Sequence, residues 1–315
     1  MLVVGCARSG TTLLQSALAA HPSVFSSPET HFFIDTVGQR GERLFALPPS
    51  TPGETIRRLL HRARVRLGIA HPRACRHRLA SFVTDAGRAD LVKYVPRYPL
   101  SIDSAARRYV ELGDRIAREY GKSVWLEKTP GHLHYLETIE RYVPDLKVVC
   151  IVRSAQDTIA SMYDVANRYP DRWLAPYRTV EGCVARWLAS ARAAYRQAGV
   201  PNRMFVAYEK LVAEPAPALV AVCEFAGINY HPQMLAERRG VYRAIVRDRE
   251  PHKRNVQEQI RSRNGTKFQE LFDERQRASI LAALGDWPER MQALCEGRLQ
   301  AETPLQPSAA RMASA

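Results

Sequence analysis

The sequence predicts an α/β protein of three layers: a central, mostly parallel sheet flanked by helices, with a helical insertion at about residues 40–120. Three observations carry this prediction. Short apolar runs alternate with stretches of helical periodicity along most of the 315 residues. The runs are continuous rather than alternating, as strands buried on both faces are. The first of them ends in a glycine turn that opens directly onto a helix.

In order, residues 1–5 (MLVVG) form the first strand, and TTLLQSALAAH places apolar residues at helical spacing behind the glycine turn. A second apolar burst, SVFSS, leads into PETHFF. From about 40 to 120 the chain turns helical and arginine-rich, with HRARVRLG and AARRYVELGDRIAREYG, and Pro48, Pro49 and Pro52 mark a loop ahead of it. This stretch reads as an insertion covering a site. Strand-like runs return at residues 123–128 (SVWLEK), 147–153 (KVVCIVR) and 203–209 (RMFVAYE). Helical segments are expected at about 131–142, 155–168, 180–198 and 213–227. Residues 1–297 are expected to form one domain, and 298–315 a disordered tail.

Composition narrows the function class. The chain is 46% hydrophobic and 25% charged, which is ordinary for a soluble globular protein. It has no apolar run near the roughly 18 residues a membrane span needs. MLVVGCARSG lacks the basic start and apolar core of a signal peptide, so a cytoplasmic location is expected. The net charge is +14, but 39 of the 46 basic residues are arginines spread along the chain, with no helix-turn-helix, zinc-finger or RNP signature. That points away from nucleic acid and towards polyanionic small molecules. Cys6, Cys75, Cys150, Cys183, Cys223 and Cys295 are scattered, without metal-ligand spacing, and read as buried reduced thiols. No metal is expected.

The sharpest signal is Gly5-Cys6-Ala7-Arg8-Ser9-Gly10-Thr11-Thr12 between strand and helix. Its glycines permit turns that aim several backbone N–H groups at one anion, and the helix N-terminus adds partial positive charge. Ser9, Thr11 and Thr12 supply hydroxyls, and Arg8 a permanent charge. Both glycines fit the nucleotide-phosphate pattern G-x-x-x-x-G-K-[ST], yet its lysine position holds Thr11. A triphosphate clamp is therefore missing.

RSGTTLL resembles the 5′-phosphosulfate loop of sulfotransferases that use 3′-phosphoadenosine 5′-phosphosulfate (PAPS), in the arginine form of the tyrosylprotein branch and many bacterial relatives. Four further segments match that family in order. In VCIVRSAQDTIASMY, Arg153 and Ser161 correspond to the pair that holds the donor's 3′-phosphate. RMFVAYEKL is similar to its YE-x-L motif, with Tyr208 near the same phosphate. WLEKTP resembles its E-K-[TD]-P segment, which implies that Lys128 points at the transferring group. Residues 260–268 (IRSRNGTKF) resemble more loosely a loop that closes over the donor, with Arg263 and Lys267 as candidates. The resemblance implies a P-loop-NTPase-like fold, PAPS as cosubstrate, PAP as product, and a hydroxyl-bearing acceptor.

In the tyrosylprotein branch the base is a glutamate in an E-T dipeptide, 21 residues after the loop arginine; Glu29-Thr30 stands 21 residues after Arg8. Glu29 is thus the expected base, with Arg8 and Lys128 stabilising charge. His31, His132 and His134 are the alternatives, and a solvated or salt-bridged carboxylate at a strand end is the plain reading of Glu29. The acceptor stays open among glycan, small molecule, lipid and tyrosine, as does a homodimer. A P-loop nucleotide kinase and a non-catalytic nucleotide-binding protein are the rival functions.

Overall fold

The computed structural model describes residues 1–37, 52–99, 101–169, 172–248, 250–258, 260 and 265–298. Most of the expected tail, Arg263, Pro48 and Pro49 lie outside the described residues.

Five strands make one sheet: β1 (Leu2–Gly5), β2 (Val24–Ser26), β3 (Val124–Lys128), β4 (Val148–Val152) and β5 (Arg203–Ala207), in the order β2-β3-β1-β4-β5. Each pairing is parallel. Helices α1 (Thr11–Ala19), α2 (Phe32–Thr36), α3 (Pro52–Arg66), α4 (Pro72–Asp85) and α5 (Ile102–Glu119) precede β3. Then come α6 (Leu136–Glu140), α7 (Ala155–Arg168), α8 (Val180–Tyr195), α9 (Tyr208–Ala213) and α10 (Pro215–Ala226). The chain continues through α11 (Gln233–Ala236), α12 (Tyr242–Ile245), α13 (Thr266–Leu271), α14 (Glu274–Leu284) and α15 (Trp287–Cys295).

The period-2 side-chain rule of β1 sorts the two cores. Val3 packs with Leu14 and Leu18 of α1 and Leu219 and Val222 of α10. Leu2 and Val4 face the opposite layer, with Tyr109, Leu112 and Ile116 of α5, Ile159 of α7 and Trp187 of α8. Each such aliphatic side chain, fully buried, contributes about 1.5–3 kcal/mol. Truncating Leu14, which is wholly buried between α1 and the sheet, would cost about 2–5 kcal/mol.

The sequence boundaries shift in three places. The strand expected over 203–209 stops at Ala207, because Tyr208 and Glu209 open α9. The helix expected over 131–142 is a 3-10 turn, Pro130–Tyr135, followed by the five residues of α6. Within the expected insertion, α5 packs on the sheet, with Tyr109 edge-on to Trp125 of β3. It is one of the flanking layers, so of this stretch it is α4 that reaches the cavity described below.

Helix starts carry their own signals. Ser154 caps α7 by accepting from the Asp157 amide, and Glu209 Oε1 accepts the Ser154 N–H at 3.0 Å. The YE-x-L segment therefore also fastens the end of β4 to that of β5.

Candidate active site

In open parallel sheets, ligands bind outside the carboxyl ends of the strands. Here the singled-out side chains follow four such ends and the second strand's exit: Arg8 after β1, Glu29 after β2, Lys128 closing β3, Arg153 after β4 and Tyr208 after β5. Arg8, Glu29, Arg153 and Tyr208 line a cavity of about 1230 Å³, and Lys128 lies buried behind Glu29.

The loop after β1 turns through three left-handed residues, Gly5 (φ 153°), Arg8 (φ 71°) and Gly10 (φ 94°). A Cβ on Gly5 would lie 2.5 Å from the Ile151 carbonyl oxygen, so β4 passes too close for any side chain. Gly10 precedes α1, whose first turn holds no acidic residue, leaving its free N–H groups and positive end uncompensated. Ala7, Arg8, Gly10, Thr11 and Thr12 line the cavity. The Ser9 side chain does not; it is buried and lines a smaller cavity with Cys6, Trp187 and Ser190. The loop's turn at Arg8 points successive side chains to opposite sides, which spacing alone does not reveal.

Arg8 donates through Nε to Ser161 Oγ at 3.3 Å and through Nη2 to the His252 carbonyl at 3.3 Å. Arg153 donates to the Arg8 carbonyl at 3.4 Å, and its guanidinium lies 4.5 Å from the centre of the Tyr208 ring. Arg8, Arg153, Ser161 and Tyr208 thus form one wall. Burial, and then the neighbouring Arg153, press the Arg8 guanidinium below its ordinary value. Two crowded cations at a helix N-terminus suit an anion.

Glu29 stands where this wall meets the rest of the cavity. Gln15 of α1 donates to Ser26 Oγ and the Ser27 carbonyl, each at 2.9 Å, and so holds the exit of β2 in place. Lys128 Nζ donates to Glu29 Oε1 and, at 3.2 Å, to Thr12 Oγ1. Lys253 Nζ reaches the same Glu29 oxygen at 2.8 Å, and His31 Nε2 is 3.3 Å from Oε2. Burial raises the carboxyl, but Lys128, Lys253 and His31 together hold it well below the usual carboxylate range. Lys128 behaves differently: burial outweighs Glu29 and lowers it to about 8. For Lys253 the balance reverses, because Glu29 and Glu250 together outweigh its burial and raise it.

Beneath Glu29 lies a buried polar floor centred on Glu127 of β3. Its Oε1 accepts from Thr30 at 3.0 Å and Thr129 at 2.6 Å, and its Oε2 pairs with His132 Nδ1 at 2.9 Å. Tyr109 OH pairs with Thr30 Oγ1 at 2.8 Å, and the His31 amide donates to Thr129 Oγ1 at 3.3 Å. His132 is fully buried here and does not line the cavity; nor does His134, which burial lowers to about 3. Of the three histidines, His31 reaches the cavity. Its φ of 51° is left-handed, an unusual conformation for a side-chain-bearing residue. Burial lowers it to about 4, so it is neutral at pH 7.

Further lining comes from Ile34 and Asp35 of α2, His77 and Arg78 of α4, Leu174 and Tyr177, and six residues between Arg247 and Glu258. Arg78 pairs with Asp35. Lys267 is in the first turn of α13 rather than in a loop, and pairs with Asp164 of α7 at the cavity's edge. Sequence reasoning missed Glu250, His252 and Lys253. REPHKR carries charge but no periodicity or motif, and a charge cluster of that kind is ordinarily a solvated face.

A model of the sulfotransferase family matches residues 1–232. The chain belongs to the sulfotransferase family. The matched span holds Arg8, Glu29, Lys128, Arg153, Ser161 and Tyr208, and ends before Glu250, His252 and Lys253. Among solved structures, the sulfotransferase is similar to a mouse sulfotransferase complexed with PAP, at 13% identity over 92% of this chain and 87% of that one, with a TM-score of 0.51. It is also similar to the sulfotransferase domain of the curacin biosynthetic pathway (20% identity, 85% of this chain, 94% of that one, TM-score 0.49). The sulfotransferase domain of the Synechococcus PCC 7002 olefin synthase gives 20% identity over 96% of this chain and 94% of that one, TM-score 0.46. No curated protein matches the chain. No described helix of the sulfotransferase is long and apolar enough to cross a membrane, and no group of side chains among the described residues is arranged to hold a metal ion.

Proposed function

We propose that the protein transfers a sulfuryl group from PAPS to an acceptor hydroxyl and releases PAP. One observation carries the reading: Lys128 Nζ bridges Glu29 and Thr12, so a carboxylate, a cation and an anion-cradling loop converge on one point. In this reading the loop amides, Gly10, Thr11, Thr12 and Arg8 hold the donor's 5′-phosphosulfate, while the Ser9 amide donates to the Cys6 carbonyl at 3.2 Å and shapes the loop. Arg153, Ser161 and Tyr208 hold the 3′-phosphate. The neighbouring guanidiniums, each of which can grip phosphate oxygens through two N–H groups, fit that demand.

The reaction is an in-line displacement in which the acceptor oxygen bonds to sulfur as the sulfur–oxygen bond to the 5′-phosphate breaks, by analogy with phosphoryl transfer. Glu29 takes the acceptor's proton. Arg8 and Lys128 stabilise charge on the departing phosphate and the peripheral sulfuryl oxygens. Glu29 accepts a proton well only once Lys128 turns from it to the donor, because the ion pair opposes protonation.

Calorimetric titration with PAP and with ATP tests the donor site; ATP binding without PAP binding would favour a nucleotide phosphotransferase. Incubation with radiolabelled PAPS and a panel of phenolic, sugar, lipid and alkyl hydroxyls tests transfer. PAP binding with no labelled product from any class would leave a binding protein and overturn the enzymatic reading.

A further inference from the structure

Lys253 belongs to no motif and lies beyond the family match, yet its ammonium occupies the centre of the site. It sits in the 3-10 segment Pro251–Gln257, which packs against α1. The segment is fastened on each side. Arg247 donates through Nε to Asp85 Oδ2 of α4 at 3.1 Å, and Arg8 holds the His252 carbonyl. Lys253 itself is buried, with Nζ 2.8 Å from Glu29 Oε1 and a second bond to Glu250 Oε1. Glu250 is held in turn, since its Oε2 accepts the Arg247 amide at 3.1 Å.

A lysine shared by two carboxylates can leave one without being stranded. If Glu29 takes a proton, Lys253 keeps Glu250 as its counter-ion, and no unpaired charge is left in the interior. Lys128 has no such second carboxylate; its other partner is the Thr12 hydroxyl. The two lysines on Glu29 are therefore unequal in what they can do.

We propose that Lys253 is a positioning residue for the transfer reaction: shared between Glu29 and Glu250, it clasps the 250–258 segment over the cavity and restrains Glu29 as an ion-paired carboxylate until the reactants displace it. This rests on Glu29 being the base. The charged and titratable groups facing Glu29 are Lys128 from β3, His31 at the start of α2, Lys253, Glu250 and His252 from the C-terminal segment, and Arg8 from the loop after β1. Lys128, Lys253, His31 and Arg8 favour its ionised form and Glu250 opposes it.

The test reads Glu29 directly. In protein carrying carbon-13 at glutamate carboxyls, the Glu29 resonance is assigned by its loss in Glu29→Gln and titrated with pH. In Lys253→Gln its midpoint should rise by about one pH unit or more, a tenfold change in proton affinity. Lys253→Arg should keep it low. Amides of 250–258 should exchange with deuterium faster in Lys253→Gln than in wild type. Glu250→Gln, which leaves Lys253 to Glu29 alone, should move the midpoint the other way and gives a second route should Lys253→Gln not fold. A midpoint unmoved in Lys253→Gln, or raised in Glu250→Gln, overturns the proposal. PAP titration of the wild type stands apart: its failure would sink the donor reading and leave the carboxyl titration interpretable.

Discussion

A Cβ added to Gly10 would stand 2.4 Å from Cδ2 of Tyr208, so the loop after β1 and the turn after β5 are shaped against one another. Arg153 lies over the same ring, 4.5 Å from its centre. Gly10→Ala therefore meets two penalties, the ring and a φ of 94°. A cost of about 1–3 kcal/mol is expected, seen as a lower Tm together with weaker PAP binding. Adding Tyr208→Ala should restore only part of the Tm, because it clears space but leaves the backbone strained. Wild-type Tm in Gly10→Ala would contradict the packing.

Glu29→Gln keeps the shape of the side chain and removes its basicity. Turnover with PAPS should fall by about 10²–10⁴-fold, the usual contribution of a general base, while PAP still binds. Retained turnover would remove Glu29 from proton transfer and leave His31 as the histidine that reaches the cavity.

Lys128 is expected to set the alkaline side of the kcat/KM profile. Its value in the free protein is about 8 against 10.5 for an ordinary lysine, so the ammonium is lost as pH rises through about 8, and kcat/KM should fall there. The stability contribution of this group runs the opposite way. Between about 8 and 10.5 the unfolded chain binds more protons than the folded one, so this group's contribution to unfolding free energy rises with pH across that window. Lys128→Arg should remove the alkaline limb from kcat/KM. A limb that persists unchanged in Lys128→Arg belongs to another group.

Arg153→Ala and Ser161→Ala separate donor grip from chemistry. A charge-assisted phosphate contact is worth about 1.5–3 kcal/mol, so Arg153→Ala should weaken PAP roughly 10–100-fold. The Ser161 hydroxyl, a neutral partner, should cost less. Glu29→Gln should show the reverse pattern. Equal losses of PAP affinity in all three variants would argue against a division into donor wall and transfer centre.

The strands were legible because Val3, Val4, Val148 and Val149 sit in continuous apolar runs, the mark of strands covered on both faces. Arg8, Arg153 and Tyr208 were legible because each stands in a segment that resembles a family motif, at the carboxyl end of a strand where a parallel sheet presents side chains to one edge. The end of β5 was not. The apolar run carries on through Tyr208 before Glu209 interrupts it, and it is the α9 backbone, not hydrophobicity, that changes at Ala207. His132 and Ser9 looked as available as His31 and Thr11; the way each side chain turns, into the large cavity or away from it, separates them. Lys253 was invisible because it meets Glu29 across 224 positions of sequence, with no local pattern to announce the encounter.

The carboxylate of Glu127 has a consequence for how this protein can change over generations. Thr30, Thr129 and His132 all lean on it, and Thr30 carries the backbone that presents Glu29. Replacing Glu127 alone takes a hydrogen-bond acceptor from three polar partners in the interior, and replacing any partner alone leaves a buried carboxylate less well satisfied. The floor can be rebuilt only by several simultaneous substitutions, so one-at-a-time mutation is largely barred from it. Among the described residues, His77 and Arg78 of α4 line the cavity without a hydrogen bond to Glu127. Substitution on that wall can proceed one residue at a time while the floor beneath Glu29 stays put.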